Sequence, residues 1–180
     1  STEIMNDSIN YDICWNNVSE DNYKGDLAGC FSFKDELIRA KITNADIIVN
    51  DTTWTISKDN FIEIDTTSYT INDFSFIGNN QNLNIDGIIS VLPEDTINFE
   101  FSNWSISNFD IFLDKSKFDI KGIINGKINL SDLYKSPSFF SDLEIDSLFF
   151  NGENLGEAVF YTKWNNQTNS IDVDAEIFSF

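Results

Sequence analysis

Between residues 83 and 91, and again between 118 and 130, large apolar side chains or glycine take every second position while Asn, Asp, Lys and Ser fill most places between them. Alternation with period two puts one set of side chains on each side of a β-strand, so these runs predict strands with one apolar and one polar face. The pattern recurs along the chain. Ile9, Tyr11, Ile13 and Trp15 are predicted to share a face, as are Leu27, Phe31 and Phe33 after a polar loop through Glu20, Asp21 and Asn22. Further strands are predicted over 42–49, 52–56, 61–64 and 69–77, then from Ile97, Phe99 and Phe101 to Trp104 and Ile106. Phe109, Ile111 and Leu113 read as a short strand. The run 118–130 is the longest, and at about 3.3 Å per residue it would span roughly 40 Å. Beyond Pro137 the alternation resumes at Leu143 and Ile145, continues at Leu148 and Phe150, and turns at Asn151-Gly152, a hairpin signal. Two strands close the chain, one through Ala158, Phe160, Thr162 and Trp164, the other through Ile171, Val173, Ala175 and Ile177.

Three features interrupt the alternation without ending it. At Asn72-Asp73, Asn103 and Asp146-Ser147 the apolar register slips once and then recovers. Each step reads as a bulge that bends the sheet or as a twist correction or turn, and three in similar positions favour deliberate curvature. Gly29, Gly87, Gly122 and Gly126 fall inside the runs, where glycine marks a kink, a bulge, or the close approach of a lipid chain or another backbone. The segments beginning at Leu83 and Phe118 place Gly87 and Gly122 alike, 35 residues apart, a loose repeat of the kind that stacks supersecondary units. Helix signals are nearly absent, and 34–41 is the one stretch that could turn helically or equally form an extended loop.

The 180-residue chain carries 30 Asp and Glu against 11 Lys and Arg, a formal net charge of −19. Binding of nucleic acid is therefore not expected, because neutralising phosphates requires clustered cations. The acidic residues read as solubilising an otherwise sticky β-protein. No His is present, which removes the commonest general base and the commonest metal ligand. The expectation is no enzyme, no cofactor, no catalytic residue and no metal ligand. The acidic pairs Asp51 with Asp65 and Asp172 with Asp174 read as solvated edge, and no calcium loop or phosphate loop is visible. Cys14 and Cys30 are either a disulfide, which would imply an oxidising compartment, or small apolar strand residues. The start Ser1-Thr2-Glu3-Ile4 shows no targeting segment, and no apolar run nears the roughly 18 residues of a spanning helix. A piece of a longer protein, touching membranes only through segments outside this chain, is expected.

The fold expected is all-β. The apolar face comprises Leu83, Ile85, Ile89 and Val91, then Phe99, Phe101, Trp104 and Ile106. Phe118, Ile120, Ile124, Ile128 and Leu130 follow, and Leu143, Ile145 and Phe160 complete it. Two readings stand side by side: a closed β-sandwich with a dry core, or an elongated, curved, repeat-built sheet whose apolar groove is covered by acyl chains.

From about Phe61 to the end, the residues resemble the TamB-type translocation and assembly module proteins in the variety found in Bacteroidota. The matching pieces are Ile71-Asn72-Asp73-Phe74-Ser75-Phe76, the run from Leu83 to Ser90, Ile97-Asn98-Phe99-Glu100-Phe101 and Ile120-Lys121-Gly122-Ile123-Ile124-Asn125-Gly126. After Pro137 come Leu143-Glu144-Ile145-Asp146-Ser147-Leu148 and Asn151-Gly152-Glu153-Asn154-Leu155-Gly156, with Trp164 beyond. Residues 1–60 match less distinctly than 61–180, within one segment of repetitive β-groove. The resemblance implies membership of the AsmA-like bridge proteins, whose sheets curl into a taco-shaped apolar groove across the periplasm. It implies phospholipid as cargo, an outer-membrane barrel of the TamA and BamA kind as partner, and a role in outer-membrane assembly. Two other functions remain open: a chaperone-like edge that adds strands by β-augmentation, and a structural cell-surface β-module. For the groove, Ile124→Glu or Ile89→Asp is expected to block lipid passage and leave the fold intact.

Overall fold

The computed structural model describes residues 2–5, 7–16, 23–49, 52–112, 119–165, 167–168 and 170–179. It holds β1 (Thr2–Met5), β2 (Ser8–Asn16), β3 (Tyr23–Lys34), β4 (Leu37–Val49), β5 (Thr52–Ile56), β6 (Phe61–Ile64) and β7 (Ser68–Gly78). These are followed by β8 (Gln81–Ser90), β9 (Thr96–Ser105), β10 (Ile120–Ser131), β11 (Ser138–Phe150), β12 (Glu153–Asn165) and β13 (Ser170–Phe178). All thirteen strands belong to one sheet whose spatial order follows the chain from β1 to β13. Every pairing is antiparallel. The fold is therefore all-β, and one sheet runs through both 1–60 and 61–180.

The meander follows from local turn chemistry. Asn79 and Asn80 both take positive φ, 47° and 63°, joining Gly78 to Gln81 in a two-residue hairpin. Asn151 and Gly152 do the same, at 51° and 85°, between β11 and β12. Asn and Gly tolerate this region, and its twist matches that of the flanking strands. The strand order departs from simple succession between β4 and β7, where β5 and β6 stand end to end in a single strand position. Asn60 seals the gap. Buried to 1% exposure, it accepts from the Ile42 amide at 2.9 Å and donates to the carbonyls of Ile42, at 2.8 Å, and of Ser57. On the polar side Arg39 pairs with Glu63 across β4 and β6 and lies 4.6 Å over the Phe61 ring.

The described strands form a single continuous antiparallel sheet, with no separate second sheet among the described residues. Surface area agrees: the chain exposes 11604 Å², whereas a compact monomer of 20.6 kDa exposes only about 8,900 Å². The sheet bends toward its apolar side, and Trp54 on β5 meets Trp104 on β9 across β7 and β8 with ring centroids 5.1 Å apart.

Two sequence expectations are corrected. The stretch 34–41 is not helical: β3 runs to Lys34, Asp35 and Glu36 turn, and β4 begins at Leu37. Phe109 and Ile111 belong to a 3-10 helix, Ile106–Phe112, instead of a strand. Ile106, Phe109 and Phe112 are spaced by three, the repeat of a 3-10 helix, and this competes with the period-two reading. Leu113 and the turn Asp114-Lys115-Ser116 lie outside the described residues, as do Asp51 and the loop 20–22.

Candidate apolar groove

Cross-strand register decides which side chains share a face, because opposed residues in an antiparallel ladder point the same way. Leu83 lies opposite Phe101, and Phe99 lies between Ile85 and Ile128. Ile124 lies between Trp104 and Ile145, Leu130 opposite Ile97, and Leu143 opposite Phe160. Ile89 joins this face opposite Tyr69. Ile106, from the start of the 3-10 helix, is buried in the same cluster, and Ile120 packs against it. Thus fourteen of the sixteen expected lining residues gather on one side. Val91 does not, since it lies in the turn after β8 at 51% exposure, where no ladder fixes its direction. Phe118 lies outside the described residues.

The same face extends further than that set. Ile13 and Trp15 lie opposite Leu27 and Gly25, Phe31 opposite Ile9 and Ala40, and Phe33 opposite Ile38. Ile47 lies opposite Trp54, while Ala158 links Ile145 to Ile177 and Trp164 lies opposite Ile171. The alternation marks Ile9, Ile13, Trp15, Leu27, Phe31, Phe33, Ala158, Trp164, Ile171 and Ile177, whereas Ile38 and Ala40 fall in the stretch 34–41 read as helix or loop; the ladder adds that all of them continue one surface over the whole sheet. With twelve strands on the principal path, spaced by about 4.8 Å, the face runs for roughly 50 Å across the strands.

Its middle is filled from within. Trp54, Phe101, Trp104, Ile106, Ile124, Leu148 and Ala158 form the buried cluster. Phe109, from the 3-10 helix, closes over Phe101 and Trp104 with centroids at 6.4 and 6.2 Å. Gln81 ties that helix to the hairpin beneath, its Oε1 accepting from the Ser105 amide at 2.8 Å and the Asn108 side chain at 2.7 Å. The indole N–H of Trp104 is buried without a hydrogen-bond partner. Toward both sheet edges the cover ends. Ile13, Trp15, Phe31 and Phe33 at one edge, and Ile171, Val173 and Ile177 at the other, are exposed.

All three alternation steps are bulges. Register shifts occur at Ile71/Phe74, opposite Asn103 at Ile124/Gly126, and at Ile145/Leu148. Asp73, Asn103 and Ser147 take positive φ of 46°, 50° and 51° there. The partner strand caps two of them directly. The Asp73 amide donates to Asp86 at 3.0 Å and the Asn103 amide to Asn125 at 2.8 Å. Each capping residue precedes a glycine of positive φ, Gly87 at 138° and Gly126 at 125°. A Cβ at either would fall 2.1 Å from a neighbouring carbonyl oxygen, that of Thr96 or of Asp142. Close approach of another backbone therefore explains both glycines. The repeat aligns Asp86-Gly87 with Asn125-Gly126, which corrects the alignment of Gly87 with Gly122.

On the polar face, Cys14 and Cys30 are free thiols. Cys30 lies opposite Asn10, four positions from Cys14, which is about 13 Å along the ladder and beyond disulfide reach. A hydrogen bond with Asp26, with burial and the charges of Asp26 and Asp12 adding to it, pushes the Cys14 thiol up to about 11. Asp172 and Asp174 lie on this polar side, opposite Lys163 and Tyr161. No group of three or more candidate metal ligands occurs among the described residues, and no helix is long and apolar enough to cross a membrane. Comparison with family models, curated proteins and solved structures gives no match for this chain.

Proposed function

We propose that this chain is a segment of a periplasmic bridge that shelters phospholipid acyl chains on its apolar face, for lipid transport between inner and outer membranes and for outer-membrane assembly. The observation that carries this reading is the exposure of that face at both flanks, on either side of a filled middle. One continuous apolar surface runs along a single sheet, and its flanks are exposed. Each 100 Å² of apolar surface taken from water contributes about 2.5 kcal/mol, so an acyl chain laid along a flank is held without a polar anchor. Movement along the face would be passive, with direction set elsewhere in the longer protein. A barrel of the TamA and BamA kind at the outer membrane is the partner this reading requires, as the resemblance over 61–180 implies.

The filled middle changes how the reading is tested. Ile124 belongs to the buried cluster, so Ile124→Glu would place an unpaired charge in packed surroundings and report on folding. Ile89→Asp, on a half-buried position of the same face, remains informative, and Phe31→Asp joins it at the exposed flank. Phospholipid retained through detergent-free purification, extracted and counted, tests the proposal. Both variants should lower the lipid count while the far-ultraviolet spectrum keeps its strand signature.

A further inference from the structure

We propose that the 3-10 helix Ile106–Phe112 is a movable lid over the middle of the apolar face, and that the Trp104 indole beneath it donates to the ester carbonyl of a glycerolipid. This rests on the function proposed above and adds a gate to it. The ladder of β9 with β10 reaches Ser105, and the helix that follows enters no ladder among the described residues. Seven residues is long for a 3-10 helix, because its hydrogen bonds are poorly aligned and runs beyond three or four residues are uncommon. Side chains hold it down. Asn108 donates to Gln81 Oε1 at 2.7 Å, and Phe109 lies over the rings of Phe101 and Trp104. A segment held this way opens at lower free energy than the strands around it.

Trp104 supplies the second observation. It is more than nine-tenths buried, and its indole N–H has no acceptor among the described residues. A buried donor left unpaired is costly, and native proteins seldom keep one without a use. The acceptor that fits is neutral. Trp54, Phe101, Ile124, Leu148 and Ala158 make the surroundings aromatic and aliphatic, where a phosphate or a free carboxylate would lose its hydration without a cation in return. An ester carbonyl has no charge to desolvate and is joined directly to an acyl chain. With Phe109 lifted, that chain takes the place of the ring and brings its carbonyl to the indole. The closed lid interrupts the apolar face between its two flanks, and the open lid joins them.

The experiment follows the indole N–H resonances of the four Trp residues in the whole 180-residue chain. The probes are dihexanoylphosphatidylcholine below its micelle concentration and its diether analogue, which keeps chains and headgroup but lacks both carbonyls. We expect the ester lipid to move the Trp104 resonance downfield and slow its exchange with water, and the diether to do neither. Asn108→Ala frees the helix while the bond from the Ser105 amide to Gln81 remains. It should tighten binding about fivefold, since one hydrogen bond fewer holds the lid shut. Phe109→Ala should do the same, and circular dichroism verifies both folds. Equal shifts from ester and diether would overturn the proposal, as would unchanged affinity in both variants. If the chain carries lipid that Phe31→Asp depletes while Trp104 does not respond, this inference falls alone. If no lipid binds anywhere, the function proposed above falls with it.

Discussion

Trp104 on β9 is 7% exposed, while Val173 on β13, on the same face of the same sheet, is 61% exposed. Both were written by the same alternation, and both point to the apolar side. What separates them is what lies above. Trp104 has Trp54 from β5, Phe101 beside it and Phe109 from the 3-10 helix, whereas Val173 has only Thr162 as its partner on β12. Period two assigns a side chain to a face. Whether that face is covered depends on bulky residues several strands away and on an excursion of the chain, neither of which the period records.

Truncation should expose this contrast most strongly. Trp104→Ala removes the centre of the aromatic cluster and should cost about 3–5 kcal/mol, whereas Val173→Ala should cost under about 1 kcal/mol, both read from urea midpoints. Similar losses at the two sites would erase the distinction between filled middle and open flank.

Backbone geometry gives the next largest effect. Gly126→Ala drives a Cβ into the Asp142 carbonyl, while at Gly152, with φ of 85°, nothing lies within 4 Å of an added Cβ. The turn substitution should cost about 1–2 kcal/mol from its left-handed backbone alone, and the strand substitution clearly more. Equal costs would mean that the bulge tolerates a displaced neighbour.

The smallest effect concerns acid. Asp65, in the turn between β6 and β7, accepts from the amides and hydroxyls of Thr67 and Ser68, and the Thr67 amide leads in lowering its pKa from 3.8 to about 2. A depressed folded-state pKa contributes stability that is present above about pH 4 and is lost as pH falls through about 2. Other carboxylates titrate in this range, so the measurement is the difference in urea midpoint between wild type and Asp65→Asn from pH 5 to pH 2. That difference should shrink with acid, and a constant difference would contradict the assignment.

Strands were the most legible part of the chain, because Ile, Phe and Asn placed two apart leave few alternatives. The steps at Asn72-Asp73, Asn103 and Asp146-Ser147 were legible too, since a bulge must shift the apolar register by one. The 3-10 helix was not, because Ile106, Phe109 and Ile111 satisfy a period of three and a period of two in part. The groove was half legible. Alternation named Phe99, Ile124 and Leu143 as sharing a face, but Trp54, on the same face, reaches Trp104 only through the bend of the sheet. The flank residues Phe31 and Val173 gained their importance only when the ladder showed the surface running on to both edges.

The central claim is that the exposed flanks of this face are covered by acyl chains, and detergent-free purification followed by native mass spectrometry tests it most directly. The account predicts phospholipid bound to the wild-type chain and depleted in the folded Phe31→Asp and Ile89→Asp variants. A wild-type chain that carries no phospholipid, or folded variants that carry as much as wild type, would contradict it.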